Sequence, residues 1–119
     1  MIIIIEDDEI SGRLLIKMLQ EYFPKKNHHW LRSVNEAIFY ISQYKSSASD
    51  LLLIDFYLED GVAWDILEQI RTKALVFKGK IVLMPGITPN EEENRLIKYY
   101  QPFKVLVKPI GLSDLRNVL

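Results

Sequence analysis

Leu51-Leu52-Leu53-Ile54 is an unbroken apolar run that stops at a carboxylate, Asp55. Rich in Leu and Ile and bounded by polar residues, a run of this length suits a strand buried on both faces. Strands of that kind belong to parallel sheets covered by helices on two sides. In an open α/β sheet, chemistry sits just beyond the carboxyl ends of the strands. Asp55 therefore stands where a reactive group would be. Taken alone, it is more simply a cap on the turn after its strand. The other strands change that reading, because they bring matching groups to the same edge.

Met1 to Ile5 is apolar and β-branched, reads as a central strand, and ends at Glu6-Asp7-Asp8. Ile10, Leu14, Leu15, Met18, Leu19 and Tyr22 then recur at helical spacing up to Pro24, with Asp8 as a candidate N-cap. His29 to Arg32 is more polar and reads as a strand near an edge. Ser33 and Glu36 have the spacing of a capping box, opening a helix with Ala37, Ile38, Ile41 and Tyr44 on one face. A turn at Asp60-Gly61 leads from the Asp55 strand to a helical stripe of Trp64, Ile66, Leu67 and Ile70. Ile81 to Met84 is a further buried strand, ending at Pro85-Gly86. Thr88 and Glu91 form a second capping box, with Pro89 at the first helical position and Leu96, Ile97 and Tyr100 following. Val105 to Val107 is the last strand, ending at Lys108-Pro109, and Ser113 or Asp114 starts a final helix. Strand and helix alternate throughout, which predicts a parallel sheet with helices on both faces.

Composition narrows the function. The 119 residues carry a net charge of −1, which argues against a nucleic-acid footprint. Cysteine is absent, which excludes a disulfide framework and thiol chemistry. No apolar run approaches the roughly 20 residues of a membrane span, and the N-terminal isoleucines are followed by acids rather than by a signal-peptide cleavage site. These features predict one cytoplasmic domain over residues 1–119.

The strand ends supply Glu6 and Asp7, Asp55, and Lys108. Two carboxylates about 4 Å apart repel by roughly 4 kcal/mol at an effective dielectric near 20. A hard divalent cation relieves that repulsion, and a lysine helps from the other side. Acids, metal and lysine around one exposed Asp make a site for a phosphoryl group, with Asp55 as nucleophile forming an acyl phosphate. His28 and His29 are adjacent on a strand, point to opposite faces, and are poor metal ligands together.

Three segments, Ile-Ile-Ile-Ile-Glu-Asp-Asp-Glu, Asp-Leu-Leu-Leu-Ile-Asp-Phe-Tyr-Leu-Glu-Asp-Gly and Val-Leu-Val-Lys-Pro-Ile, follow one another along an alternating βα chain. In that order and spacing the sequence resembles, over its whole length, the receiver domain of two-component response regulators. The resemblance implies a flavodoxin-like, doubly wound, three-layer α/β/α fold with a parallel five-stranded sheet of order 2-1-3-4-5. It implies that Asp55 accepts a phosphoryl group from a sensor histidine kinase or phosphotransfer protein. Glu6 and Asp7 match the acidic pair, Asp7 and Asp55 the Mg²⁺ ligands, the Tyr57 carbonyl the backbone ligand, and Lys108 the phosphoryl contact. It also implies a cis peptide before Pro109. A domain of this kind is a signalling module of a phosphorelay rather than an enzyme, at most promoting its own phosphorylation and slow dephosphorylation.

The pattern departs at its switch positions. Pro85, before Gly86, stands where the family has Thr or Ser, and proline offers neither a hydroxyl nor an N–H. Val105 stands where the family has an aromatic, and Glu59 where it has a proline. Tyr57 and Ile87, bulky at the positions that flank the water's approach, imply slow hydrolysis of the acyl phosphate. A phosphorylation-independent pseudo-receiver that binds partners remains open. An enzyme resembling the haloacid-dehalogenase phosphatases would need a second Asp where Tyr57 stands. Lys98, Tyr99, Tyr100, Phe103 and Lys104, in the last two βα units, read as a surface for an output domain or dimer partner.

Overall fold

The computed structural model describes residues 1–119. Its strands are β1 (Ile2–Ile5), β2 (His28–Leu31), β3 (Leu51–Asp55), β4 (Tyr57–Leu58), β5 (Gly61–Val62), β6 (Lys80–Met84) and β7 (Lys104–Val105). Its helices are α1 (Glu9–Tyr22), α2 (Val34–Gln43), α3 (Ala63–Arg71), α4 (Glu91–Tyr100) and α5 (Leu112–Val118). Five strands form one parallel sheet in the order β2-β1-β3-β6-β7. With the short β4–β5 hairpin set apart, this is the flavodoxin-like order 2-1-3-4-5.

The burial pattern explains the layers. Alternate residues of β1 and β3 face opposite sides of the sheet. Ile3, Ile5, Leu52 and Ile54 join Ala37 and Ile41 of α2 and Ile66 and Leu67 of α3 in one core. Ile2, Ile4, Leu51 and Leu53 join Leu15 and Leu19 of α1 and Leu115 and Val118 of α5 in the other. The apolar runs are thus continuous because both faces of each central strand are covered.

Several local expectations are corrected. Glu36 does not close its box on Ser33: its carboxylate accepts from the Arg32 N–H, while Ser33 Oγ accepts from the Glu36 N–H. The neighbouring free N–H groups, Val34 and Asn35, donate to Asp60 instead. The second box lies two residues later than Thr88 and Glu91, between Asn90 and Glu93, so α4 begins at Glu91 and not at Pro89. The last strand ends at Val105, although pairing with the β6 edge runs on through Leu106 N–H to Leu83 O and Lys108 N–H to Pro85 O. Gly111 caps α5, which starts at Leu112, ahead of Ser113.

On α1 the apolar stripe is wider than its buried face. Leu15 and Leu19 are buried, but Ile10, Leu14 and Tyr22 are at least half exposed. Trp30 of β2 closes against the same helix at Gly12, and its indole N–H donates to the Glu6 carbonyl at 2.8 Å. A Cβ at Gly12 would lie 2.0 Å from the Trp30 ring. Gly12→Ala should therefore destabilise the domain by about 1–3 kcal/mol through overpacking. The helix-propensity gain of up to about 1 kcal/mol is too small to reverse that. Urea unfolding of the two proteins reads the difference.

Candidate functional site

The parallel register brings the strand ends to one edge. Ile5 lies opposite Ile54, and Asp55 opposite Met84. Glu6 and Met84 therefore flank Asp55, and Pro85 follows one residue beyond. The turn after β1 is held by Glu6 N–H donating to Leu31 O and by the Trp30 indole on Glu6 O. Asp8 caps α1 by accepting from the Ser11 N–H at 2.8 Å. Its carboxylate is thereby committed to the helix, leaving Glu6 and Asp7 for the edge.

Glu6, Asp7 and Asp55 each place a carboxylate oxygen within 4.8 Å of the others. Glu6 is buried and takes the Lys108 ammonium in an ion pair. The same ammonium lies 3.4 Å from Asp55 Oδ1. The Lys108–Pro109 peptide is cis. The backbone of Lys108 is tied to the end of β6 through Pro85 O at 2.9 Å. Pro85 itself is buried, Gly86 is exposed with open space around its Cα, and Val105 is half-buried beside Leu83.

Burial pushes the Asp55 carboxyl up to about 7, with the Glu6 carboxylate beside it adding to the rise and Lys108 only partly opposing it. For Lys108, burial works against the charge, but the bond to Glu6 and the charges of Asp55 and Glu6 outweigh it and hold the ammonium above its usual range. The lysine is thus shared and already paired, and the acidic cluster remains under-compensated. That donor set, three carboxylates without imidazole or thiolate, fits a hard divalent cation.

Two features lay beyond sequence reasoning. The Tyr57 side chain is exposed, but its hydroxyl donates to Glu93 of α4, 36 positions away. That bond is the leading reason Glu93 is held below the usual carboxylate range, and it also raises the Tyr57 phenol. Nothing in either local sequence signals the pairing. A groove of about 730 Å³ runs between α1 and the segment after Lys108, lined by Leu14, Met18, Tyr22, Ile110 and Leu112 and reaching Glu6, Gly86 and Lys108. Here a signal existed, because the α1 apolar stripe was too wide for one buried face.

The raised Asp55 carboxyl sets a pH dependence. Between the ordinary carboxylate range and about 7, the folded protein holds a proton at Asp55 that the unfolded chain has released. This group's contribution to stability therefore falls as pH rises through that window. In metal-free buffer Asp55→Asn should become more stable than the wild type as pH rises from 4 to 8. After allowance for screening at this partly exposed edge, the difference should reach about 1–2 kcal/mol. Paired urea titrations across that range measure it.

No family model matches the sequence, and no curated protein matches it significantly. Solved structures do match. A response regulator receiver protein from Pseudomonas putida is 21% identical, with 98% of this chain and 92% of that one covered and a TM-score of 0.79. A response regulator receiver domain protein from Methanospirillum hungatei JF-1 is 19% identical, with 98% and 86% covered and a TM-score of 0.79. The non-phosphorylated HemR receiver domain from Leptospira biflexa is 25% identical, with 98% and 87% covered and a TM-score of 0.73. The chain thus shares the fold of response regulator receiver domains.

Proposed function

We propose that this chain is a phosphoacceptor receiver domain of two-component signal transduction, with Asp55 as the acceptor. The observation that carries the reading is the position of Asp55 at the β3 end, 3.4 Å from Lys108 and within 4.8 Å of Glu6 and Asp7. An Asp55 oxygen attacks the phosphorus of a phosphohistidine on a histidine kinase or phosphotransfer protein. The P–N bond breaks and its electron pair stays with the imidazole, leaving an acyl phosphate on Asp55. Lys108 shifts from its carboxylate partners toward the new phosphoryl oxygens. Asp7, Asp55 and the Tyr57 carbonyl would hold Mg²⁺, with Glu6 behind them. Bound there, the ion offsets negative charge on the phosphoryl oxygens. The compartment this reading implies is the cytoplasm.

The readout half of the site is reduced. Pro85 cannot donate to a phosphoryl oxygen, so the phosphorylated state lacks one charged hydrogen bond of about 1.5–3 kcal/mol. The Gly86 N–H remains as a donor. An output partner has a surface to meet on α4 and the loop before β7, where Tyr99 and Phe103 are both more than half exposed. Arg71 lies over the Tyr99 ring and Lys80 over Phe103, so that surface mixes aromatic faces with cations.

Incubation with acetyl phosphate and Mg²⁺, followed by intact-mass measurement, tests the acceptor. The wild type should gain one phosphoryl group and Asp55→Asn none. A wild type that gains nothing, from acetyl phosphate or from a kinase, makes the chain a phosphate-independent binding module. Mg²⁺ should raise the melting temperature of the wild type, and Asp7→Asn should weaken that response at least several-fold. Tyr57→Asn should shorten the phosphoryl lifetime by opening the water's approach, as followed by loss of the added mass over time.

A further inference from the structure

Helix α4 is anchored unlike the other four. Each of those buries apolar side chains, but the single buried residue of α4 is a carboxylate, Glu93. Its C-terminal end rests on α3: Tyr100 stacks on Trp64 with ring centroids 5.6 Å apart and donates to Glu68. Its N-terminal end follows an exposed stretch from Gly86 to Thr88. What holds that end is Glu93, which bonds in two directions. One carboxylate oxygen accepts from the Asn90 N–H at 2.8 Å and closes the helix cap. The other accepts from the Tyr57 hydroxyl.

Tyr57 lies two residues after Asp55, and its backbone is paired with Val62 in the β4–β5 hairpin. The acceptor loop and the start of α4 are therefore joined by one polar link, at the end of α4 with the least apolar packing. A helix end with little apolar packing and one hydrogen bond to the rest of the fold sits at its low-stability end. A small shift of the loop would be passed to the helix through a bond between a stiff ring and a buried acceptor. Pro85 and Val105 offer no comparable polar contact from their own strands.

We propose that Glu93 is a positioning residue whose bond to Tyr57 carries a change at the Asp55 site to the N-terminal end of α4. The inference rests on the reading of Asp55 as phosphoacceptor. In this arrangement the loop after β3 is the transmitter, α4 is the receiving element, and α4 pivots on its Tyr100–Trp64 end.

Amide NMR with Mg²⁺ and beryllofluoride, an acyl-phosphate mimic, tests it. In the wild type the amides of Asp55, Tyr57 and Gly86 should shift, and those of residues 91–96 should shift with them. In Glu93→Ala the α4 response should fall at least twofold relative to the Gly86 response. Tyr57→Phe, which removes the same bond from the other side, should lower it by the same factor, and the double variant should lower it no further. Asn90→Ala loosens the same helix start without touching Tyr57 and should keep the wild-type ratio. An α4 response that survives both single variants, or that Asn90→Ala reduces equally, overturns the inference while leaving the acceptor reading intact. A wild type whose Asp55, Tyr57 and Gly86 amides stay unmoved overturns both.

Discussion

The parallel register of β1, β3 and β6 is the constraint on which the site depends. It aligns Ile5 with Ile54 and Asp55 with Met84, so that Glu6 and Asp55 emerge side by side and Pro85 one residue past them. A slip of one residue would turn the alternating apolar side chains of β3 toward the wrong cores and carry Asp55 out of line with Glu6. The two cores enforce that register, since they take alternate residues of the same strands. Precise placement of the acids at the edge is thus a by-product of burying Leu51 to Ile54 on both faces.

Charge at that edge is deliberately unequal. Lys108 satisfies the buried Glu6 and reaches Asp55 only at longer range. Asp55 keeps an ionisation penalty that its surroundings do not remove. A carboxyl held in that condition ionises more readily when positive charge is brought near it.

The surrounding helices divide along another line. On one side of the sheet, α1 leaves Ile10, Leu14 and Tyr22 uncovered beside the groove that reaches the site. On the other, α4 buries only Glu93 fully, packs Ile97 and Tyr100 partly against the core, and stacks Tyr100 on Trp64.

Sequence alone determined the alternation of elements, the buried strands and the edge at which Glu6, Asp7, Asp55 and Lys108 meet. These are legible because burial on two faces leaves an uninterrupted apolar run, and the residue that ends such a run has to lie at the sheet edge. Helix starts were less legible. Thr88–Glu91 and Asn90–Glu93 both have capping-box spacing, and the latter forms in a fold where Glu93 also meets Tyr57. Glu36 likewise turned to the Arg32 N–H, while Asp60, from a distant turn, took the Val34 and Asn35 N–H groups. The exposed part of the α1 stripe, the Tyr57–Glu93 bond and the sharing of Lys108 between Glu6 and Asp55 were decided only by the tertiary structure. Each depends on distance between residues far apart in the chain, and local periodicity carries no information about that distance.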